Sequence, residues 1–272
     1  MPSIAVINQK GGVGKTTTTV NLAAALAAAG ERVGVIDLDP QAHASLHLGV
    51  DPKRPSATTY DLLAGDASLG ECWAPAEEGL SVAAAHIDLA AAEVELAGVV
   101  GRELILRDKL ATERERFDYV LIDCPPSLGV LTLNALAAVE DVLLPLQPHF
   151  LALHGLSKLM QTIDLVAERL NPSLAMAGVV VCLYESGTRL AAEVTTDVEQ
   201  AFERLRERGG PWANVRLFDT RVRRNIRLAE APSYGQSVFS YASDSRGAED
   251  YRALGGEIQA YYAGRGLLTA AA

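Results

Sequence analysis

The chain has 272 residues, 49% hydrophobic but only 6% aromatic, and its 34 acidic against 24 Lys/Arg residues give a formal net charge of −10. That length suits one large α/β domain with an aliphatic core, and the acidity excludes a globally basic nucleic-acid coat while leaving room for a local basic patch. Cys72, Cys124 and Cys182 are widely spaced, without a Cys-x-x-Cys pair, which argues against a disulfide framework or zinc site and fits a reducing cytoplasm.

The chain opens on apolar residues 4–7, a strand that leaves no room for a signal peptide. Residues 10–17 read Lys-Gly-Gly-Val-Gly-Lys-Thr-Thr, and an Ala/Leu-rich helix over 17–29 follows and stops at Gly30. A strand, a glycine loop and a helix N-terminus in that order form a phosphate-binding loop. Glycines let backbone N–H groups converge on an anion, and the helix adds its positive dipole end. The cradle comprises Gly11, Gly12, Val13, Gly14, Lys15, Thr16 and Thr17, with Lys15 reaching the β- and γ-phosphates and the Thr16 hydroxyl available to Mg²⁺. The loop departs from Gly-x-x-x-x-Gly-Lys-Ser/Thr, because Gln9 replaces the first glycine and a second lysine, Lys10, stands at its mouth.

The next apolar run, 33–36, ends in Asp37-Leu38-Asp39-Pro40-Gln41. Asp-x-Asp-Pro is a good turn and helix-start signal, but beside a phosphate loop one carboxylate can hold the Mg²⁺ shell and the other can polarise a water. Further strands are expected at 80–83, 119–122, 142–146 and 177–183, with helices at 90–99, 104–115, 131–138, 156–170 and 191–205. Leu121-Ile122-Asp123-Cys124-Pro125-Pro126 is a hydrophobic strand ending in an acid, the Walker B pattern, with Asp123 on Mg²⁺ directly or through water. Cys124, lacking a basic neighbour, reads as a packed small residue. Continuous apolar strands separated by helices predict an α/β fold: a three-layer P-loop NTPase, its mostly parallel twisted sheet flanked by helices on both faces. Ligands then sit at the carboxyl ends of the strands. Residues 1–264 are expected to form one ATPase domain, with surface loops at 51–55 and 209–211 and a frayed tail over 265–272. No uncharged apolar run approaches the ~20 residues of a spanning helix.

With these motifs in place the chain resembles the ParA/Soj partition ATPases, within the wider group that includes the septum-site protein MinD. The likeness covers nearly the whole chain: residues 8–19, 37–41, 123–127, Arg227-Leu228-Ala229-Glu230-Ala231-Pro232-Ser233-Tyr234-Gly235 and Asp244-Ser245-Arg246-Gly247-Ala248. The resemblance implies a face-to-face ATP-sandwich homodimer in which Lys10 crosses to the partner's phosphates and Gly11 must be small. It implies that Asp39 orients the hydrolytic water. Asn225 matches the adenine-reading position, and Arg223 stands where many relatives have proline.

Between 204 and 227 the acidic chain reverses sign, with Arg204, Arg206, Arg208, Arg216, Arg221, Arg223, Arg224 and Arg227 opposed only by Glu207 and Asp219. Arginines contact phosphates without reading bases. Arg204 to Arg208 read as a helix face paired with Glu203 and Glu207, which leaves Arg221, Arg223, Arg224 and Arg227 as candidates for nonspecific double-stranded DNA. Relatives often carry an arginine at the place of Gly187; Arg189 is its candidate replacement. The resemblance implies a ParB/Spo0J-type centromere-binding partner, nucleoid association and segregation of chromosome or plasmid origins, with no membrane. The alternatives are MinD-like membrane cycling, for which the tail carries a single arginine, positioning of a protein cargo, and an ATP-switched DNA scaffold. An iron–sulfur reductase would need a cysteine pair, and a tyrosine autokinase a tyrosine-rich tail, whereas Tyr261 and Tyr262 have helical neighbours and read as packing residues.

Overall fold

The computed structural model describes residues 1–51, 56–148, 156–185 and 189–266, and the side chains of 189–192 fall outside that description. Strand β1 (Ser3–Val6) feeds the glycine loop, and helix α1 (Lys15–Ala28) begins on Gly14, which is left-handed at φ 95°. Gly30 ends that helix, also at φ 95°, a conformation a Cβ would penalise. Strand β2 (Val33–Asp37) leads into three short helices, α2 (His43–His47), α3 (Thr59–Ala64) and α4 (Leu69–Cys72). The last two start on capping boxes, Thr58 with Asp61 and Ser68 with Glu71. Strands β3 (Trp73–Glu77) and β4 (Leu80–Ala83) then form an antiparallel pair.

Helices α5 (Leu89–Glu95) and α6 (Ile105–Leu110) precede β5 (Tyr119–Asp123), α7 (Val130–Ala138), β6 (Asp141–Leu146), α8 (Leu156–Arg169) and β7 (Ala175–Tyr184). Helix α9 (Arg189–Arg208), β8 (Arg216–Arg223), α10 (Ile226–Glu230), α11 (Val238–Ala242) and α12 (Arg246–Gly264) complete the chain. The sheet order is β3-β4-β2-β5-β1-β6-β7-β8, parallel except at β3. Alternate residues of each central strand face opposite layers. Ala5, Ile7, Ile36, Ile122 and Leu144 meet Leu106, Leu131, Leu159 and Ile163 on one side. Ile4, Val6, Val35, Leu121 and Leu143 meet Leu22, Leu26, Leu254, Ile258 and Tyr262 on the other. Both faces are covered, as the aliphatic strands require.

Several elements differ from expectation. The helices expected at 90–99 and 104–115 are shorter and flanked by 3₁₀ turns, with Gly98 and a left-handed Gly101 between them. Strand β3 was unanticipated because Ala-Pro-Ala lacks β-branched residues, yet a sheet edge tolerates proline. Strand β8 is masked in the sequence by its arginines, although Phe218 and Val222 point inward at even spacing. Helix α12 was marked only around Tyr261 and Tyr262, both buried; its Gly255 packs where a Cβ would come within 3.3 Å of Ala25 in α1. Arg265, assigned to the tail, donates to the buried Asp141 carboxylate at 2.7 and 2.9 Å. Residues 52–55 and 267–272 lie outside the described residues.

Candidate active site

The central strand β1 lies between β5 and β6, and its carboxyl end delivers the loop at the edge where ligands of such sheets bind. Asn8 fixes the start of the loop: its side-chain amide donates to the Pro145 carbonyl at 2.8 Å, and its Oδ1 accepts the Lys10 N–H at 3.0 Å. Gly12 and Gly14 are left-handed, and a Cβ on Gly11 or Gly12 would meet nothing within 4 Å, so the outer face of the loop is open. Lys10 lies exposed at its mouth, whereas Lys15 is buried and its ammonium donates to the Lys10 carbonyl at 3.3 Å. Burial lowers the Lys15 pKa against the pull of Asp123 and Asp39. A cation held dry between those carboxylates and an open loop of N–H groups suits a polyanion.

Parallel pairing of β2 with β5 sets Asp37 directly opposite Asp123. Asp123 accepts the Thr16 hydroxyl at 2.7 Å and the Thr19 hydroxyl at 3.0 Å. Asp37 is fully buried, taking the Asp39 N–H on one oxygen and the N–H and hydroxyl of Ser45 on the other. Burial, and then the mutual repulsion of the two acids, raises the pKa of Asp123; burial is also the main cause of the rise at Asp37. Asp39 is partly exposed and accepts the Gln41 N–H at 2.9 Å. The two acids therefore separate: Asp37 is enclosed and Asp39 is partly exposed. A hard-oxygen set of Thr16, Asp123 and Asp39 suits a magnesium ion. Sequence reasoning missed Thr19 and Ser45. Thr19 closes the loop motif and Ser45 stands eight residues beyond Asp37, and neither position by itself signals a bond to an acid.

Beneath the loop, Thr18 of α1 bonds Tyr251 of α12 at 3.1 Å and contacts the Cys182 sulfur at 3.6 Å. All three cysteines are buried, and burial lifts every thiol, Cys182 to about 12. Among the described residues no cluster of three or more His, Cys, Asp or Glu residues could hold a metal.

One strand beyond β7, the same sheet edge carries Asn225 and the arginines. The Asn225 Oδ1 caps α10 by accepting the Arg227 N–H at 2.8 Å. Arg221 turns back to the Phe218 and Asp219 carbonyls. Arg223 is locked onto Asp250, with Nε at 3.0 and 3.1 Å from its two oxygens, and also meets Glu249 at 3.3 Å. Arg224 pairs with Glu185 at 3.0 Å and Arg227 with Glu230 at 2.8 Å, both more than half exposed. The expected pairing of Arg206 and Arg208 with Glu203 and Glu207 is replaced: Arg206 donates to the Val215 carbonyl and Arg208 to Asp164. Arg189 opens α9, and its side chain, like Gly187, lies outside the described residues.

Residues 1–176 match the family model described as an AAA domain. The chromosome partitioning protein ParA of Myxococcus xanthus is 44% identical over 94% of this chain and 87% of its own length. The sporulation initiation inhibitor protein Soj of Bacillus subtilis is 42% identical over 94% and 98%. The chain belongs to the ParA/Soj family of partition ATPases. A solved structure titled cobyrinic acid a,c-diamide synthase, from Mycobacterium smegmatis with bound ATP analogue and magnesium, is 35% identical, with TM-score 0.82 over 97% of this chain and 96% of that one. The cell division ATPase MinD of Pyrococcus furiosus, 26% identical, superposes with TM-score 0.74 over 95% and 98%. No helix of the described residues is long and apolar enough to cross a membrane.

Proposed function

We propose that the chain binds ATP with Mg²⁺, hydrolyses it, and as an ATP-sandwich homodimer holds nonspecific double-stranded DNA until hydrolysis releases it. The observation that carries this reading is the meeting of Thr16 with Asp123 beside the buried Lys15, at the mouth of a loop whose outer face is open. The backbone of Gly11 to Thr17 would cradle the phosphates and Lys15 would neutralise them. Thr16, Asp123 and Asp39 would hold the magnesium ion, which when bound supplies charge neutralisation at the β- and γ-oxygens. Asp39 is assigned to orient the attacking water, since both oxygens of the buried Asp37 already accept protein donors. The exposed Lys10 is assigned to a partner protomer's phosphates, which would make assembly depend on nucleotide. Asn225 is assigned to the adenine side.

Arg224 and Arg227 are the DNA candidates the geometry favours, because their guanidiniums lie at the surface in ion pairs that salt and competitors weaken. Arg221 and Arg223 are assigned to shaping that edge, and Arg189 remains assigned to DNA. A ParB/Spo0J-type protein is the proposed stimulating partner, and the cytoplasm and nucleoid the proposed location. The test is binding to a random-sequence duplex with ATP, ADP or no nucleotide at low and high salt. ATP-dependent binding lost at high salt supports the reading; absence of binding in every condition refutes it. Lys15→Ala should abolish ATP binding, whereas Asp39→Ala should retain ATP and lose turnover.

A further inference from the structure

We infer that Ser45 is a positioning residue for hydrolysis: it clamps the buried Asp37 carboxylate and thereby fixes the loop that carries Asp39. The inference rests on the ATPase reading above and names a residue that no sequence motif singles out.

Ser45 lies in α2, fully buried, eight residues beyond Asp37. Its backbone N–H and its hydroxyl both donate to one Asp37 oxygen, at 2.9 and 2.8 Å. Its Oγ in turn accepts the Ala85 N–H at 3.1 Å, just past the carboxyl end of β4. The other Asp37 oxygen accepts the Asp39 N–H at 3.1 Å. One hydroxyl therefore ties three elements together: the end of β2, the end of β4 and the helix that closes the loop. The hydroxyl donates once and accepts once, so it bridges Asp37 and Ala85 directly.

The segment between the two anchors is short and internally bonded. Ala42 donates its N–H to the Asp39 carbonyl at 2.8 Å, and Leu46 donates back to Ala42 at 3.0 Å. Ala42 itself is left-handed at φ 54°, unusual for a residue with a Cβ. Such a conformation persists where the surroundings over-determine it, and the Ser45–Asp37 bonds are the anchor at one end. Asp37 and Asp123 stand in register on neighbouring strands, and each carboxylate is held by hydroxyls of its own: Ser45 for the first, Thr16 and Thr19 for the second. With both oxygens accepting protein donors and the side chain fully buried, Asp37 is kept structural, and Asp39 remains the partly exposed acid of the pair.

Full-length wild type, Ser45→Ala and Ser45→Thr are compared by single-turnover ATP cleavage and by affinity and stoichiometry for ADP and a non-hydrolysable ATP analogue. Because mispositioning a water-orienting acid by about 1 Å costs on the order of 100-fold, Ser45→Ala should cleave ATP roughly 10- to 100-fold more slowly with unchanged nucleotide affinity and stoichiometry. Ser45→Thr, which restores the hydroxyl, should recover most of the rate. A wild-type rate in Ser45→Ala overturns the inference, and so does a rate loss that only tracks a loss of nucleotide-competent chains. If Ser45→Ala does not fold, Asp37→Asn takes its place with the same two criteria. Failure of wild type to cleave ATP strikes the ATPase reading instead. Amide hydrogen exchange then decides the clamp: the Asp39 and Ala85 N–H groups should be protected in wild type and released in the variant, and unchanged protection overturns it.

Discussion

Replacing Arg223 by alanine separates a structural arginine from Arg224, which is proposed to contact DNA. Its guanidinium donates to both oxygens of Asp250, a carboxylate only 7% exposed, whose remaining partner is the Arg223 backbone N–H at 2.9 Å. Removing one partner of a buried pair costs about 3–5 kcal/mol when the site is dry. Here the arginine side chain is 39% exposed, so solvent screening and rehydration of Asp250 bring the expected loss down to about 2 kcal/mol. For a chain of this size that is a fall in Tm of roughly 4–8 °C. Arg224→Ala removes a pair with both members about 60% exposed and should leave the melting point near wild type. The assay is thermal unfolding of both variants, with a double-mutant cycle against Asp250→Asn, followed by DNA binding of the folded protein with ATP. Arg224→Ala should weaken binding and reduce its salt dependence. Arg223→Ala melting within about 0.5 kcal/mol of wild type would refute the structural role assigned to it.

Other outcomes can be measured alongside. His47 is buried, its Nε2 without a hydrogen-bond partner among the described residues, and burial lowers its pKa to about 4 from 6.5. The unfolded chain therefore binds the proton more readily, and this residue's contribution is lost as pH falls through 6.5 towards 4, by roughly 3 kcal/mol in full. His47→Leu should accordingly gain stability relative to wild type across that window in denaturant titrations, and a pH-independent difference would contradict the burial argument. Arg265→Ala leaves Asp141, fully buried, with the Tyr261 hydroxyl at 2.7 Å, and should cost about 2 kcal/mol in chemical unfolding. That cost should shrink in acid, where the carboxyl is neutral with or without the arginine. Gly49→Ala would place a Cβ 2.8 Å from the Gly235 carbonyl oxygen at a residue with φ 71°, so melting should drop by several degrees; an unchanged Tm would mean that the α2 end and the Gly235 turn do not meet this closely.

The phosphate loop, the acid-terminated strands and the alternation of helix and strand were legible in the chain because each is a local property. A run of apolar residues, a glycine that frees the backbone or an acid after a strand acts over a few neighbours, and a linear reading captures it. The same locality explains what was misread. Strand β3 has no β-branched signal, β8 hides its two inward residues among arginines, and Gly255 of α12 finds its reason only in Ala25 of α1 packed against it. That Asp37 is enclosed while Asp39 stays partly exposed was decided only in three dimensions, where Ser45, itself held by the Ala85 N–H, bonds Asp37. So was the division of the arginines, since Asp250 lies 27 positions from Arg223 and no spacing rule joins them. Thr16 and Asp123 meet across 107 residues for the same reason. Sequence by itself determined the chemistry available at the sheet's edge; tertiary structure decided which groups are desolvated, which are paired, and hence which remain free to act.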